Sequence, residues 1–280
     1  MKTYRFDKVE LTSGYLFDKQ ELNRMRTIYA VYDRFDETGR IGAFNFDYVP
    51  AEDKKSPHVF WDSDVAKWME GAAYIIKKHP SPDLEERIDA LVEKIREHQD
   101  ENGYFNIHFT VVSPNDRFKD RDKHELYCAG HLMEAAIAYD EATGKRDFLD
   151  CMEKYADHIA RVFMEEKSAE FQTPGHEEIE IALVRMYLHT GKQKYLDMAK
   201  HFIDTRGSSE TSEPNVSYNQ SHLPVREQTE AVGHSVRAMY LYTGMALLAA
   251  QTGDEGLTKA CKALFDDVAL RKMYVTGGIG

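Results

Sequence analysis

The sequence predicts an all-α protein built from successive helical hairpins and arranged as an α/α toroid. Three observations lead there: apolar residues recur at helical spacing, Thr-Gly steps join helices directly, and long polar connectors alternate with those short turns. The helical stripes begin near residues 18–34 and 63–78. They continue with Leu84, Ile88, Leu91, Val92 and Ile95, where Ser81-Pro82-Asp83 supplies an N-cap, a first-turn proline and an acid. Further segments near 124–142 and 146–163 precede Ile179, Ala182, Leu183, Met186 and Tyr187, a helix expected to open at His176 after Thr173-Pro174-Gly175. Tyr195, Leu196, Ala199, Phe202 and Ile203 mark the next, and segments near 229–251 and 255–270 complete about nine helices. Alternating strand pattern is confined to Phe105–Val112.

The joints carry a repeat. Tyr139 to Leu149, Tyr187 to Leu196 and Ala249 to Leu257 each end one helix at Thr-Gly and begin another at once. Glycine just past a helix end adopts the left-handed conformation without a Cβ penalty, which gives a tight reversal. Gly144, Gly191 and Gly253 stand 47 and then 62 residues apart, a unit suited to helix pairs laid side by side. Long connectors, Asp100–Lys123, Glu165–Gly175 and Gly207–Gln228, follow alternate helices and would gather at one rim. That favours a toroid with a pocket at its mouth over a plain solenoid.

Composition narrows the function. A chain of 280 residues, 42% hydrophobic and 11% aromatic, can bury a large core. Its formal charge of −12, without a Lys/Arg stripe, argues against nucleic acid and anionic membrane as partners. Cys128, Cys151 and Cys261 form neither a disulfide framework nor a metal knuckle, so a reducing, cytoplasmic setting is expected. No apolar run approaches the roughly 20 residues of a membrane span, and Met1 to Asp7 lacks a signal core.

Three histidines stand at or near helix starts on the long-loop side: His124, His176 and His234. Equivalent placement in successive hairpins would bring their imidazoles to one pocket, where they can exchange hydrogen bonds with substrate hydroxyls. The structural alternative is that each ring caps its own helix. Asn102-Gly103 is expected to present Tyr104 and Phe105 at the mouth, where aromatic faces stack on sugar rings. Around another helix start, Trp61 and Asp64 are further candidates for sugar contact, whereas Asp62 reads as a cap. His124, Cys128 and His131 share a helix face, but over two turns they are too extended for a compact zinc tetrahedron, so no metal site is assigned.

Taken in order, Phe60 to Trp68, Asn102 to Phe105, His124 to His131, Gly175 to Glu180, Val232 to Ala238 and Tyr274 to Gly280 resemble the catalytic helical domain of glycoside hydrolase family 127, the β-L-arabinofuranosidases. The resemblance spans nearly the whole chain. It implies an (α/α)6-barrel followed by β-sandwich domains, and it makes His124, His176 and His234 sugar-binding residues. It also implies removal of terminal L-arabinofuranose with retention, by a zinc-held cysteine thiolate and an acid/base glutamate. The family's acid/base follows the motif matching Thr276-Gly277-Gly278-Ile279-Gly280, and none of the three cysteines matches the family's metal and nucleophile positions. Residues 1–280 are therefore expected to form a single toroid domain lacking its final helices, with zinc belonging to the full-length enzyme and none held here. Catalytic residues stay unassigned, and self-association through an unclosed toroid face is expected. Two alternatives stand: another toroid carbohydrate enzyme, such as a glycuronyl hydrolase or sugar epimerase, and a non-catalytic sugar-binding or scaffold module.

Overall fold

A computed structural model describes residues 5–51, 55–208 and 216–280; part of the Gly207–Gln228 connector, residues 209–215, and the first four residues lie outside them. The described residues are helical with no β-strand. α1 (Gly14–Leu22) passes through a π-type turn into α2 (Ile28–Glu37), which packs on α3 (Trp61–Lys78). The Trp68 indole N–H donates to the Ile28 carbonyl at 2.7 Å and fixes that contact.

Four hairpins follow: α3 with α4 (Pro82–His98), α6 (Glu125–Thr143) with α7 (Asp147–Ala160), α8 (Ile179–Thr190) with α9 (Gln193–Thr205), and α10 (Ser235–Thr252) with α11 (Glu255–Asp267). A one-turn helix, α5 (His108–Val111), interrupts the connector between α4 and α6. The first helix of each hairpin packs on the first helix of the next, giving an inner series α3, α6, α8, α10, with α4, α7, α9 and α11 outside. Burial follows this layering: α6 is buried nearly all round, from Leu126 through Tyr139, whereas α9 buries one stripe, Tyr195, Leu196, Met198, Ala199, Phe202 and Ile203. The fold is the all-α, α/α-toroid arrangement of hairpins.

The three Thr-Gly joints are built alike. Gly144, Gly191 and Gly253 are left-handed (φ +78°, +71° and +69°), and their amides donate to the carbonyls of Asp140, Tyr187 and Ala249. The preceding threonine hydroxyls donate to carbonyls four residues back at 2.7–2.9 Å: Thr143 to Tyr139, Thr190 to Met186 and Thr252 to Leu248. These joints lie at the base, so the starts of α6, α8 and α10, with the long connectors, share the opposite rim.

Three expectations are corrected. Phe105–Val112 is not a strand: Asn106 accepts from the Phe109 amide at 3.0 Å and the chain turns into α5. α8 begins at Ile179, three residues after His176: the His176 ring turns to the Glu177 carbonyl, and Glu178 is the N-cap, its amide donating to the Glu180 carboxylate at 3.1 Å. Ser81 occupies the N-cap of α4 but makes no side-chain cap bond.

Candidate active site at the histidine rim

His124 is the residue before α6 and adopts a left-handed backbone (φ +65°), an uncommon state for a side chain with a Cβ. Its ring lies 5.6 Å from that of His176, and His176 lies 6.3 Å from His234, the residue before α10. The three predicted histidines thus come together. Phe60 stands edge-on to His124 at 5.7 Å, and Tyr127 lies 4.3 Å from His176. Capping and convergence are not exclusive, since His234 Nδ1 also accepts from the Arg237 amide at 3.4 Å.

Their hydrogen bonds fix complementary roles. His176 Nδ1 faces the Glu177 carbonyl at 2.9 Å and must be the donor there, which leaves Nε2 with a lone pair. In His234, Nδ1 is the acceptor, so the neutral ring carries its proton on Nε2. His124 Nδ1 is buried with no hydrogen-bond partner among the described residues. Burial, reinforced by the nearby Arg237 guanidinium, pushes His124 below its ordinary value and His176 down to about 3, so both are neutral at pH 7. The rim offers hydrogen-bond donors and acceptors suited to vicinal hydroxyls.

Arg237 binds the rim together. From the first turn of α10, its Nη1 donates to the Gly175 carbonyl at 2.6 Å and to Asp122 at 3.1 Å, tying the chain before His176 to the chain before His124. A Cβ on Gly175 would come within 2.3 Å of Asp122 Oδ1 and 2.7 Å of the Arg121 carbonyl, so only glycine permits this approach. Below, fully buried Arg206 from the end of α9 pairs with Glu177 (3.0 Å) and Glu180 (3.3 Å) and donates to the carbonyls of Pro174 and Asn219. Sequence reading missed both arginines, whose partners come from separate connectors.

Trp61 and Asp64 sit together beside Arg40, which pairs with Asp64 at 2.8 Å and stacks 5.3 Å from Trp61. Their described contacts are with this arginine; Phe60, their neighbour, is the residue that meets His124. Tyr104 is displaced from its expected place at the mouth. It is 1% exposed, its hydroxyl donates to Glu125 at 2.6 Å, and its ring packs on Phe118, Tyr155 and His158. The cause is Gly103, whose turn lies so close to α7 that a Cβ would meet the Lys154 carbonyl at 2.4 Å.

Beneath the rim the inner helices carry a buried polar layer. Arg185 of α8 donates to Glu134 (2.5 Å), Glu70 (3.0 Å) and the Tyr74 hydroxyl (2.9 Å). Next to it, single ligand atoms from His131, Glu134 and Glu178 lie within 4.8 Å of one another, a set able to hold a metal ion. His131 and Glu134 fall at i and i+3 on α6, whereas the sequence pattern grouped His131 with His124 and Cys128. Those two part company: the Cys128 thiol is buried against the Val59 carbonyl.

Residues 8–280 match the profile of the β-L-arabinofuranosidase GH127 catalytic domain. The chain belongs to this family. This GH127 chain is 36% identical over 245 residues to the non-reducing end β-L-arabinofuranosidase of Bifidobacterium longum subsp. longum, covering 79% of the chain and 37% of that relative. The crystal structure of a GH127 β-L-arabinofuranosidase from Geobacillus stearothermophilus T6 superposes with a TM-score of 0.90 at 40% identity, over 98% of the chain and 47% of that structure. Another GH127 β-arabinofuranosidase gives 0.90 at 38% identity, over 98% and 44%. The chain therefore spans less than half the length of these relatives. The zinc-thiolate centre that the resemblance implies does not fit the cysteines present: Cys128 and Cys151 are buried, Cys261 lies on α11, and burial raises all three thiols above their ordinary value.

Proposed function

We propose that residues 1–280 form one helical domain that binds the sugar in a glycosidase removing terminal L-arabinofuranose, with nucleophile and acid/base supplied from outside these residues. The convergence of His124, His176 and His234 carries this reading, because three imidazoles at one rim match a ring of hydroxyls. Relatives that act on β-L-arabinofuranosides support the sugar class. The free thiols support a reducing, cytoplasmic setting.

Calorimetric titration of the chain with L-arabinose and with a β-L-arabinofuranoside tests the reading. His124→Ala, His176→Ala and His234→Ala are each expected to weaken binding by about 0.5–1.5 kcal/mol, the contribution of one neutral hydrogen bond, while leaving the helical signal unchanged. Equal binding by all three variants would overturn it. On a chromogenic β-L-arabinofuranoside the chain alone is expected to show no turnover; a rate near the enzyme median of about 10 per second would place the nucleophile among residues 1–280.

A further inference from the structure

We infer that His131, Glu134 and Glu178 form a binding site for one divalent transition-metal ion between α6 and the start of α8, below the histidine rim. The Glu178 side chain is 0% exposed, and neither carboxylate oxygen has a hydrogen-bond donor. His131 Nδ1, equally buried, lies 3.4 Å from Glu178 Oε1 and makes no hydrogen bond. Single ligand atoms of His131, Glu134 and Glu178 thus face one another within 4.8 Å in a buried setting, an arrangement that one cation between them would satisfy.

The cations nearby are committed elsewhere. Arg185 is shared among Glu70, Glu134 and Tyr74, and Lys67 lies 4.6 Å over the Tyr127 ring with its ammonium on Ser63. A proton between Glu178 and His131 would join those two alone; a metal ion takes His131, Glu134 and Glu178 together. The far nitrogen of His131 is held as metal-bound imidazoles are: the Tyr240 hydroxyl sits 3.4 Å from Nε2 and Tyr127 stacks edge-on at 4.5 Å. The close approach is built into the backbone, since a Cβ on Gly130 would meet Glu178 Cγ at 2.6 Å. One imidazole and two carboxylates select Zn²⁺ or Mn²⁺ over Ca²⁺ or Mg²⁺, which prefer all-oxygen shells. No cysteine takes part, which separates this site from thiolate chemistry, and it does not rest on the sugar-binding reading.

The test uses the whole chain, stripped with chelator, desalted and titrated with Zn²⁺ or Mn²⁺ alone. About one equivalent retained on desalting, with a raised Tm, is expected; His131→Ala and Glu178→Gln should each weaken retention at least tenfold, while His124→Ala and His176→Ala should not. Retention unchanged in Glu178→Gln, no retention by the unaltered chain, or loss only in the rim variants would overturn the site. Should His131→Ala and Glu178→Gln fail to fold, Co²⁺ in the unaltered chain decides: visible d–d bands without a thiolate charge-transfer band are expected, and a thiolate band or no spectrum would overturn it.

Discussion

Asp62 lies in the first turn of α3 with its side chain fully buried, one oxygen accepting from the Ile107 amide at 2.9 Å and the other without a partner. Burial pushes its carboxyl up from 3.8 to about 7. Between those values the folded chain holds a proton that the unfolded chain has lost. Stability contributed by this residue is therefore full in acid and declines as pH rises towards 7, by at most about 1.4 kcal/mol for each pH unit of that interval. Asp62→Asn cannot titrate, so its stability relative to the parent should be greater at pH 8 than at pH 4.5, as urea unfolding at the two values will show. At this scale the sequence was unevenly readable. The histidines were accessible because each follows a long connector and precedes an apolar stripe, a pattern local to its own hairpin. Glu178 and Arg237 were not, because a carboxylate at a helix start reads as a dipole partner and an arginine in a first turn reads as solvated. Tyr104 misled for a related reason: Asn-Gly signals a turn whether it faces water or, as here, the flank of α7.

The hairpins are where local chemistry and tertiary structure agree, and their Thr-Gly joints could be read directly. Gly191 has open space around it, so replacing it tests the backbone alone. Gly191→Ala is expected to cost about 1 kcal/mol in urea unfolding, the cost of a left-handed residue with a Cβ, and Gly191→Asn less. At the rim, elements are joined by side chains, and here spacing says little. Arg237→Lys tests that joint: a point charge on a flexible stem cannot hold the Gly175 carbonyl and Asp122 in the fixed fork of a guanidinium. Sugar affinity is expected to fall by about the value of one hydrogen bond, 0.5–1.5 kcal/mol, with α10 intact by circular dichroism. Phe105–Val112 shows the limit of propensity: its β-branched and aromatic residues have no neighbouring strand to pair with, and Asn106 offers the backbone a helical turn.

Across the whole molecule, the inner helices pack in sequence while the far side of the α10–α11 hairpin carries an apolar groove of about 580 Å³ lined by Met239, Tyr242, Leu247, Leu264 and Phe265. Phe265 is 70% exposed and Leu270 80%, as expected for core-type positions without a covering layer. The chain on its own should associate with rising concentration, and Phe265→Glu with Leu270→Glu should restore a monomer in analytical ultracentrifugation without loss of helicity. A monomer at all concentrations would show that this face is tolerated in water. The opposite end of the toroid has a different use. Around Gly144, Gly191 and Gly253 nothing lies within 4 Å of where a side chain would begin, and none of the rim residues is anchored there. A foreign peptide spliced into one of those base reversals would hang free below the ring, so the domain could be tethered to a sensor surface by its base with the histidines facing the bulk solution.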